Sequence, residues 1–230
     1  MTRRNYGQAC SVAGALDRIG ERWSLLIVRE LLLGPLRFSD LARAVGGAPT
    51  DILTKRLRDL ERDGIVTRRE LDPPASAVAY ELTELGRELD PLLVELGRWG
   101  LNFYEAGDVE DLQPSWLPNS LRIVLQPPPD VEMRVQLRSE GRSFRLRISG
   151  GRIEAERGED TAPELTIAGP PRAILGALVV GEEAGAGVEI TGDREAFESL
   201  RTMVVLPERL LEGARAALGA ESAEATARTA

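Results

Sequence analysis

Apolar residues in the first part of the chain recur at intervals of three and four positions, the spacing that places them on one face of a helix. These intervals predict a first helix near Val12 to Ile19, a second from about Arg22 to Leu33 and a third from Ser39 to Val45. Gly34-Pro35 and Gly46-Gly47 end the second and third helices. Thr50 is then placed to cap a fourth helix.

Alternation of apolar and polar residues follows the fourth helix. It predicts strands at Ile65 to Leu71 and Val78 to Leu82, joined by the turn Asp72-Pro-Pro-Ala-Ser76. Thr83 caps a further long helix, and Pro91 inside that helix predicts a kink or a break. Several short helices followed by a strand pair are typical of a winged helix-turn-helix.

The fourth helix has two different faces. At about 100° per residue, Leu53, Leu57 and Leu60 fall on one stripe, so this side is predicted to pack. Thr54 flanks the opposite side, whose members are Asp51, Lys55, Arg58 and Arg62. A charged helix face is often only a solvated surface. The glycine turn before this helix and the basic strand after it favour contact with DNA phosphates instead.

Composition excludes several kinds of chemistry. The 230 residues include one cysteine, Cys10, and no histidine. An intrachain disulfide, a Cys/His zinc cluster and a histidine-dependent active site are therefore excluded, and we expect no cofactor, no metal and no enzymatic activity. The net charge of −8 is unevenly spread: residues 1–105 hold 15 Lys and Arg against 16 Asp and Glu, and residues 106–230 hold 14 against 21. The predicted DNA-binding half is thus close to neutral.

The chain carries no membrane or export signal that we recognise. No apolar run approaches the roughly 20 residues that span a bilayer, and the N-terminus leads into polar sequence. We therefore expect a cytoplasmic protein that does not insert into membranes. Residues 106–119, with several acids, glycine and proline, are predicted to be a linker, and the alanine-rich residues 219–230 to be disordered.

Five segments of the first hundred residues together resemble the HxlR-type winged-helix transcriptional regulators. They are Cys10-Ser-Val12, Ala15 to Pro35, Arg37-Phe-Ser-Asp-Leu41, Leu53 to Val66 and Tyr80-Glu-Leu-Thr-Glu-Leu-Gly86. The resemblance implies a homodimer, held mainly by its first and last helices. It also implies that this dimer binds an inverted repeat in double-stranded DNA and regulates transcription.

The same resemblance implies which residues contact DNA. It places Arg68 and Arg69 at the wing, and it places five residues of the fourth helix in the major groove or at its phosphates: Thr50, Thr54, Lys55, Arg56 and Arg58. The wing tip, Pro73 to Val78, departs from the family pattern because it has no cation. Asp51 departs as well, since an acid would repel phosphate but can accept a hydrogen bond from cytosine N4.

Cys10 and two tryptophans have roles that the resemblance and the helical spacing suggest. In some relatives a cysteine at this position senses oxidants, and Arg18 and Arg22 near it would favour the thiolate. The alternative is that Cys10 is a small buried apolar residue under the first helix. Trp23 is predicted to anchor the core and Trp99 to lie at the dimer interface.

The second half of the chain alternates in the manner of half-buried strands. Strands are predicted through Val131 to Arg138, Phe144 to Ile148, Ile153 to Ala155 and Leu165 to Ala168. A short, almost wholly apolar helix at Pro170 to Gly181, a strand at Val188 to Ile190 and a helix capped by Asp193 follow. This order predicts an α+β domain whose helices cover one face of an antiparallel sheet.

That order is similar to the sterol-carrier-protein-like lipid-binding fold over about residues 120–205. The resemblance implies an apolar tunnel that holds a lipid or another apolar small molecule, lined by Phe144, Leu146, Ile174, Leu175, Leu178, Val179 and Phe197. The same residues are what a dry core needs, and the chain lacks a clear helix before the first of these strands. Glu154, Glu156, Glu159 and Asp160 are interpreted as a solvated face rather than a metal site.

Together these patterns predict a mixed fold. Residues 1–105 form a mainly α winged helix-turn-helix with a two-stranded wing, residues 106–119 a linker, and residues 120–218 an α+β domain. We expect a dimeric, sequence-specific transcriptional regulator that responds to an apolar ligand. Two alternatives remain open: a lipid carrier whose first domain serves for dimerisation or partner contact, and a thiol-based redox regulator acting through Cys10.

Overall fold

The computed structural model describes residues 5–70, 78–104, 112–181, 187–214 and 216. Most of the predicted wing tip, the first part of the predicted linker and the predicted disordered tail lie outside the described residues. The chain divides into two compact units, residues 1–93 and 94–230.

In the described part of the first unit, four helices and a short strand precede a strand pair, and further helical residues follow that pair. In chain order its elements are α1 Ser11–Ile19, α2 Ser24–Leu32, β1 Leu36–Arg37, α3 Phe38–Val45, α4 Thr50–Arg62, β2 Val66–Glu70, β3 Val78–Leu82, α5 Glu84–Arg87 and the beginning of α6 Asp90–Gly100. This order confirms the predicted winged helix-turn-helix.

The wing is part of a three-stranded antiparallel sheet in the order β1-β3-β2. The strand β1, in which Leu36 pairs with Tyr80 and Arg37 with Ala79, was not predicted. Two residues are too few to display an alternating pattern, so this strand is set by its partner rather than by its own sequence. The predicted two-stranded wing is therefore incomplete.

A single hydrophobic cluster holds the helices of the first unit together. Leu53, Leu57 and Leu60 of α4 are each at most 1% exposed, as their spacing predicts. They belong to the same cluster as Ile27 and Val28 of α2, which are fully buried. Burial of this stripe fixes which side of α4 faces outward.

Two predicted helix caps have different outcomes. Thr83 caps α5 as expected, because its hydroxyl accepts a hydrogen bond from the Gly86 N–H at 3.0 Å. Thr50 does not cap α4: Pro49 is the last extended residue, and Thr50 is already helical. The break predicted near Pro91 is confirmed, since α5 ends at Arg87 and α6 begins at Asp90.

The second unit contains the C-terminal half of α6, a 3-10 helix at Leu101–Phe103 and an α+β fold. The later elements are α7 Leu117–Val124, β4 Met133–Ser139, β5 Arg142–Ser149, β6 Arg152–Arg157, β7 Leu165–Ala168, α8 Pro171–Val179, β8 Glu189–Gly192 and α9 Arg194–Thr202. The predicted cap of α9 is confirmed, because the Asp193 carboxylate accepts from the Glu195 N–H at 2.8 Å.

The five strands form one sheet in the order β6-β5-β4-β7-β8. Its pairs are antiparallel except β4 and β7, which run parallel. The expectation of an antiparallel sheet is therefore wrong at one pair. The chain leaves β6 at one edge and crosses to the other side of β4, and such a crossover brings β7 in parallel to β4.

Helix α7 corrects a second expectation, that no helix precedes the first strand of this sheet. Its first turn contains Pro118, and Leu117 and Leu121 are fully buried. Proline is favoured at the start of a helix, where its missing N–H is not needed. This proline was interpreted as a sign of a linker at residues 106–119, but α7 begins at Leu117, inside that range.

Candidate nucleic-acid interface

The outward side of α4 carries the charged residues that the helical spacing predicts. Asp51, Lys55, Arg58 and Arg62 are exposed, whereas the leucine stripe on the other side is buried. A helix that packs through one face and exposes cations on the other can approach a polyanion without unfolding.

Lys55 and Arg58 differ from the third cation of this face. Within the ranges that the structure describes, neither side chain makes an ion pair with a carboxylate. Arg62, in contrast, lies 3.1 Å from the Asp59 carboxylate and 3.7 Å from that of Asp63. A phosphate can therefore pair with Lys55 or Arg58 without displacing a protein carboxylate.

The remaining polar residues of α4 lie near its N-terminus. Thr50 and Asp51 are exposed in the first turn, where the positive end of the helix dipole interacts favourably with the Asp51 carboxylate. The Thr54 hydroxyl donates to the Thr50 carbonyl at 2.7 Å, which leaves its oxygen lone pairs available to a donor. These three side chains lie where a base edge or a phosphate can reach them.

Arg56 does not belong to this surface, which contradicts the DNA contact expected of it. The residue is 9% exposed. Its guanidinium donates to Glu21 Oε2 at 3.0 Å and to Asp59 Oδ2 at 3.1 Å. Contact with a phosphate would require both charge-assisted hydrogen bonds to break.

The wing cations are exposed but already paired. Arg68 lies 3.2 Å from the Glu61 carboxylate and stacks over the Tyr80 ring at 5.6 Å. Arg69 lies 3.6 Å from the Glu81 carboxylate. Because successive strand residues point to opposite faces, Arg68 and Arg69 face different sides of the sheet. The structure therefore brings Lys55 and Arg58 together on one surface, but not Arg68 and Arg69.

Sequence reasoning missed the residues that hold these cations in place. Glu21 and Asp59 pair with Arg56, and Glu61 and Glu81 pair with Arg68 and Arg69. The spacing of Arg56 and Asp59 by three residues on one helix is a signal that was present in the sequence. The pairing of Glu21 with Arg56, 35 residues apart, has no local signal.

Comparison with known proteins gives a consistent result. A family model described as HxlR-like helix-turn-helix matches residues 18–108. The chain is 36% identical over 104 residues to the HTH-type transcriptional regulator sll1512 of Synechocystis, spanning 45% of this chain and 77% of that protein. It is 34% identical over 113 residues to the HTH-type transcriptional regulator YkvN of Bacillus subtilis, spanning 47% of this chain and 96% of that one.

The chain belongs to the HxlR-like helix-turn-helix family. Its relatives are transcriptional regulators, and its first unit is the DNA-binding helix-turn-helix of that family. Among solved structures, a redox regulator, HypR in its oxidized form, is 36% identical and spans 40% of this chain and 94% of that chain, with a TM-score of 0.37. The curated matches leave more than half of this HxlR-family protein without a counterpart in those relatives.

Cys10 immediately precedes α1 in this HxlR-family protein. In the single chain its side chain is exposed, so the alternative of a buried apolar residue is wrong. Trp23 is partly buried against the core cluster of the first unit, in agreement with its predicted packing role. Trp99 is 61% exposed and meets Phe103 edge to face, with ring centroids 4.8 Å apart.

The predicted ligand-lining residues of the second unit form part of its core. Phe144, Leu146, Ile174, Leu178 and Phe197 are each at most 3% exposed, and Leu175 and Val179 are half-buried. Fully buried side chains of this size fill the space between the sheet and the helices. The burial pattern matches the alternation that predicted it and is what a packed core requires.

A groove of about 510 Å³ lies on the other, charged face of the same sheet. Arg145 Nε donates to Glu156 at 3.0 Å, and Arg134 Nε donates to Asp160 at 3.1 Å. The Ala162 N–H and then Arg134 hold the pKa of the Asp160 carboxyl below its usual value. This polar groove is not the apolar tunnel that the sequence suggested.

Two kinds of site are not found among the described residues. No cluster of three or more acidic or cysteine side chains there is able to hold a metal ion. Within the same ranges, every helix is too short or too polar to cross a bilayer.

Proposed function

We propose that this HxlR-family protein is a homodimer that binds an inverted repeat by placing α4 in the major groove. The observation that carries the proposal is the outward side of α4, where Lys55 and Arg58 are exposed and make no ion pair with described residues. Thr50, Asp51 and Thr54 stand at the end of α4 that would face the bases, and Arg68 and Arg69 are secondary phosphate contacts.

Dimerisation is proposed from apolar side chains that the single chain leaves in water. On α1, Val12 is 64% and Leu16 43% exposed. On α6 and the 3-10 helix, Leu96, Trp99 and Phe103 are each at least 42% exposed. Exposed apolar patches of this kind favour association, and a two-fold dimer would present two copies of α4 to half-sites about 34–36 Å apart.

Selection of bound sequences from random duplex DNA tests this proposal. The full-length protein should enrich an inverted repeat, and the Lys55→Ala/Arg58→Ala variant should not. Failure of the wild type to enrich any sequence, in the presence and absence of reducing agent, would contradict the proposal.

The second unit is proposed to bind an apolar effector between its sheet and α8. What supports this is the order of strands and helices, which is similar to the sterol-carrier-protein-like fold, together with a helix α8 that is apolar nearly all round. Because Phe144, Ile174 and Phe197 fill the space between the sheet and α8, binding would require these side chains to move. An effector can act only if it binds one arrangement of the dimer more tightly than another. Equal operator affinity before and after saturation with long-chain fatty acid, in a preparation first stripped of lipid, would contradict this part.

A lipid carrier is the rival from another class. The lipid binding of a carrier should not change with salt concentration or with Lys55→Ala/Arg58→Ala, because its function does not involve phosphates. A regulator should lose affinity steeply with salt and should lose more with the double variant.

Control through Cys10 is a further proposal, favoured by the exposure of its thiol. Alkylation with iodoacetamide should then change operator affinity in the wild type. The matched control is Cys10→Ser, whose affinity the reagent should leave unchanged. Identical affinity of alkylated and untreated wild type would contradict it.

A further inference from the structure

The turn between α1 and α2 is attached to α4 by an ion cluster centred on the buried guanidinium of Arg56. Arg56 of α4 donates to Glu21 in this turn at 3.0 Å and to Asp59, one turn along the same helix, at 3.1 Å. The Arg56 side chain is 11% exposed, whereas those of Glu21 and Asp59 are 45% and 25% exposed. The guanidinium thus links the turn to α4 through Glu21, while Asp59 holds the same guanidinium in place on α4.

A second contact from the same turn reaches the beginning of α4. Trp23 has φ of +81°, a left-handed conformation that is an outlier for a bulky residue and persists only where its surroundings hold it. Its indole ring lies against Gly47, where a Cβ would be 3.9 Å from the ring, and Arg22 stacks over the ring at 4.9 Å. Gly47 lies in the turn that leads into α4. The turn between α1 and α2 therefore contacts the middle of α4 through Arg56 and, through Trp23, the turn that precedes α4.

We propose that Arg56 is a positioning residue, and that the Glu21–Arg56–Asp59 cluster fixes the orientation of α4 so that Lys55 and Arg58 reach the DNA backbone. The inference rests on the proposed function for its consequence in DNA binding. Lys55 and Arg56 are neighbours on one helix, yet one is exposed and the other is buried and paired. A buried, doubly paired guanidinium sets the geometry of a helix and does not exchange counterions with solvent.

The first test compares Arg56→Met with Lys55→Met in the full chain. Arg56→Met should weaken operator binding about tenfold at fixed salt while leaving the slope of log affinity against log salt unchanged. Lys55→Met should instead make that slope shallower by about 0.9, as the loss of one phosphate contact requires. A shallower slope for Arg56→Met would make Arg56 a phosphate contact and overturn the proposal. Unchanged affinity of folded Arg56→Met would also overturn it.

The gentler variant Glu21→Gln keeps the test valid if Arg56→Met folds poorly. Glu21 lies outside α4 and its carboxylate pairs with Arg56, so the substitution should act on DNA binding through Arg56. Glu21→Gln should weaken operator binding about threefold without a change in salt slope. In the double variant Glu21→Gln/Arg56→Met, affinity should equal that of Arg56→Met alone. The reason is that Arg56→Met already removes the interaction between Glu21 and Arg56 that Glu21→Gln weakens. Full additivity would contradict the coupling.

A measurement without DNA separates this inference from the proposed function. Amide hydrogen exchange of the full chain should become faster in α4 and in residues 20–23 when Glu21 is replaced by glutamine, and the exchange of β4 should not change. Equal exchange in α4 of the wild type and the variant would overturn the positioning role. If the wild type failed to bind any duplex while exchange in α4 responded as expected, the proposed function would be wrong. The inference that the Glu21–Arg56–Asp59 cluster fixes the orientation of α4 would still hold.

Discussion

The outward side of α4 and the outward side of the C-terminal sheet are both rich in arginine, but their cations differ in what surrounds them. On α4, Lys55 and Arg58 have no carboxylate partner among the described residues. On the sheet, three arginines, Arg134, Arg138 and Arg145, each pair with a carboxylate of a neighbouring strand or loop, and Arg147 of the same face is the exception, with no ion pair among the described residues. A cation that is already neutralised must exchange one anion for another, so it gains less from a phosphate than a free cation does.

The difference shows why net charge does not locate the DNA-binding surface in this protein. The whole chain carries −8, and the first 105 residues are almost neutral. What distinguishes α4 is that two cations without a carboxylate partner among the described residues lie three residues apart on one helix, whose buried leucine stripe holds them outward. Local pairing is therefore more informative than composition.

The largest expected effect separates the packed side of α4 from its charged side. Leu57→Ala should lower the free energy of unfolding by about 2–5 kcal/mol, because Leu57 is 1% exposed and its truncation leaves a cavity. Denaturant unfolding measures this loss. The salt slope of DNA binding should not change in the fraction that remains folded, and a changed slope would show that the two sides are not separate.

A smaller effect is expected when a wing cation is released from its own carboxylate. Glu61→Gln removes the partner of Arg68, which should raise DNA affinity about two- to threefold at low salt. The matched control is Glu156→Gln, which releases Arg145 on the C-terminal sheet and should leave operator affinity unchanged. Fluorescence anisotropy titrations with a labelled duplex compare the two. An equal gain from both variants would mean that the sheet also contacts DNA.

The smallest expected effect concerns the paired charges of the C-terminal sheet. Arg138 and then Ser143 hold the pKa of the Glu159 carboxyl below its ordinary value of 4.5. A carboxyl with a lowered pKa in the folded state stabilises the fold above the ordinary value, and this contribution is lost as pH falls through the lowered pKa. The Tm difference between wild type and Glu159→Gln should therefore shrink as pH falls below about 4.5. A difference that is constant across this range would contradict the pairing.

Periodic residues predicted most of the first unit correctly. The leucine stripe of α4, the strands β2 and β3, and the Thr83 cap all follow from local spacing, because each depends on residues close together in sequence. The strand β1 and the parallel pairing of β4 with β7 depend on distant segments, and no local pattern reports them. The helix α7 was missed because Pro118, which favours a helix start, was taken as a sign of a linker.

The candidate site was predicted in part for the same reason. The helical spacing separated Lys55 and Arg58 from the leucine stripe, and the structure exposes both. Arg56 entered the predicted site through family resemblance, although its position on the helix places it beside Leu53 and Leu60 rather than opposite them. Its pairing with Glu21, 35 residues away, is not visible in the sequence.

Salt dependence of operator binding shows whether Lys55 and Arg58 contact DNA phosphates. Affinity would be measured from low to physiological salt for the wild type, for Lys55→Ala/Arg58→Ala and for Arg138→Ala/Arg145→Ala. The account predicts that the α4 variant binds at least tenfold more weakly and that its log–log slope is shallower by about two, while the sheet variant matches the wild type. Equal slopes for the wild type and the α4 variant would contradict the claim that Lys55 and Arg58 form the DNA-binding surface.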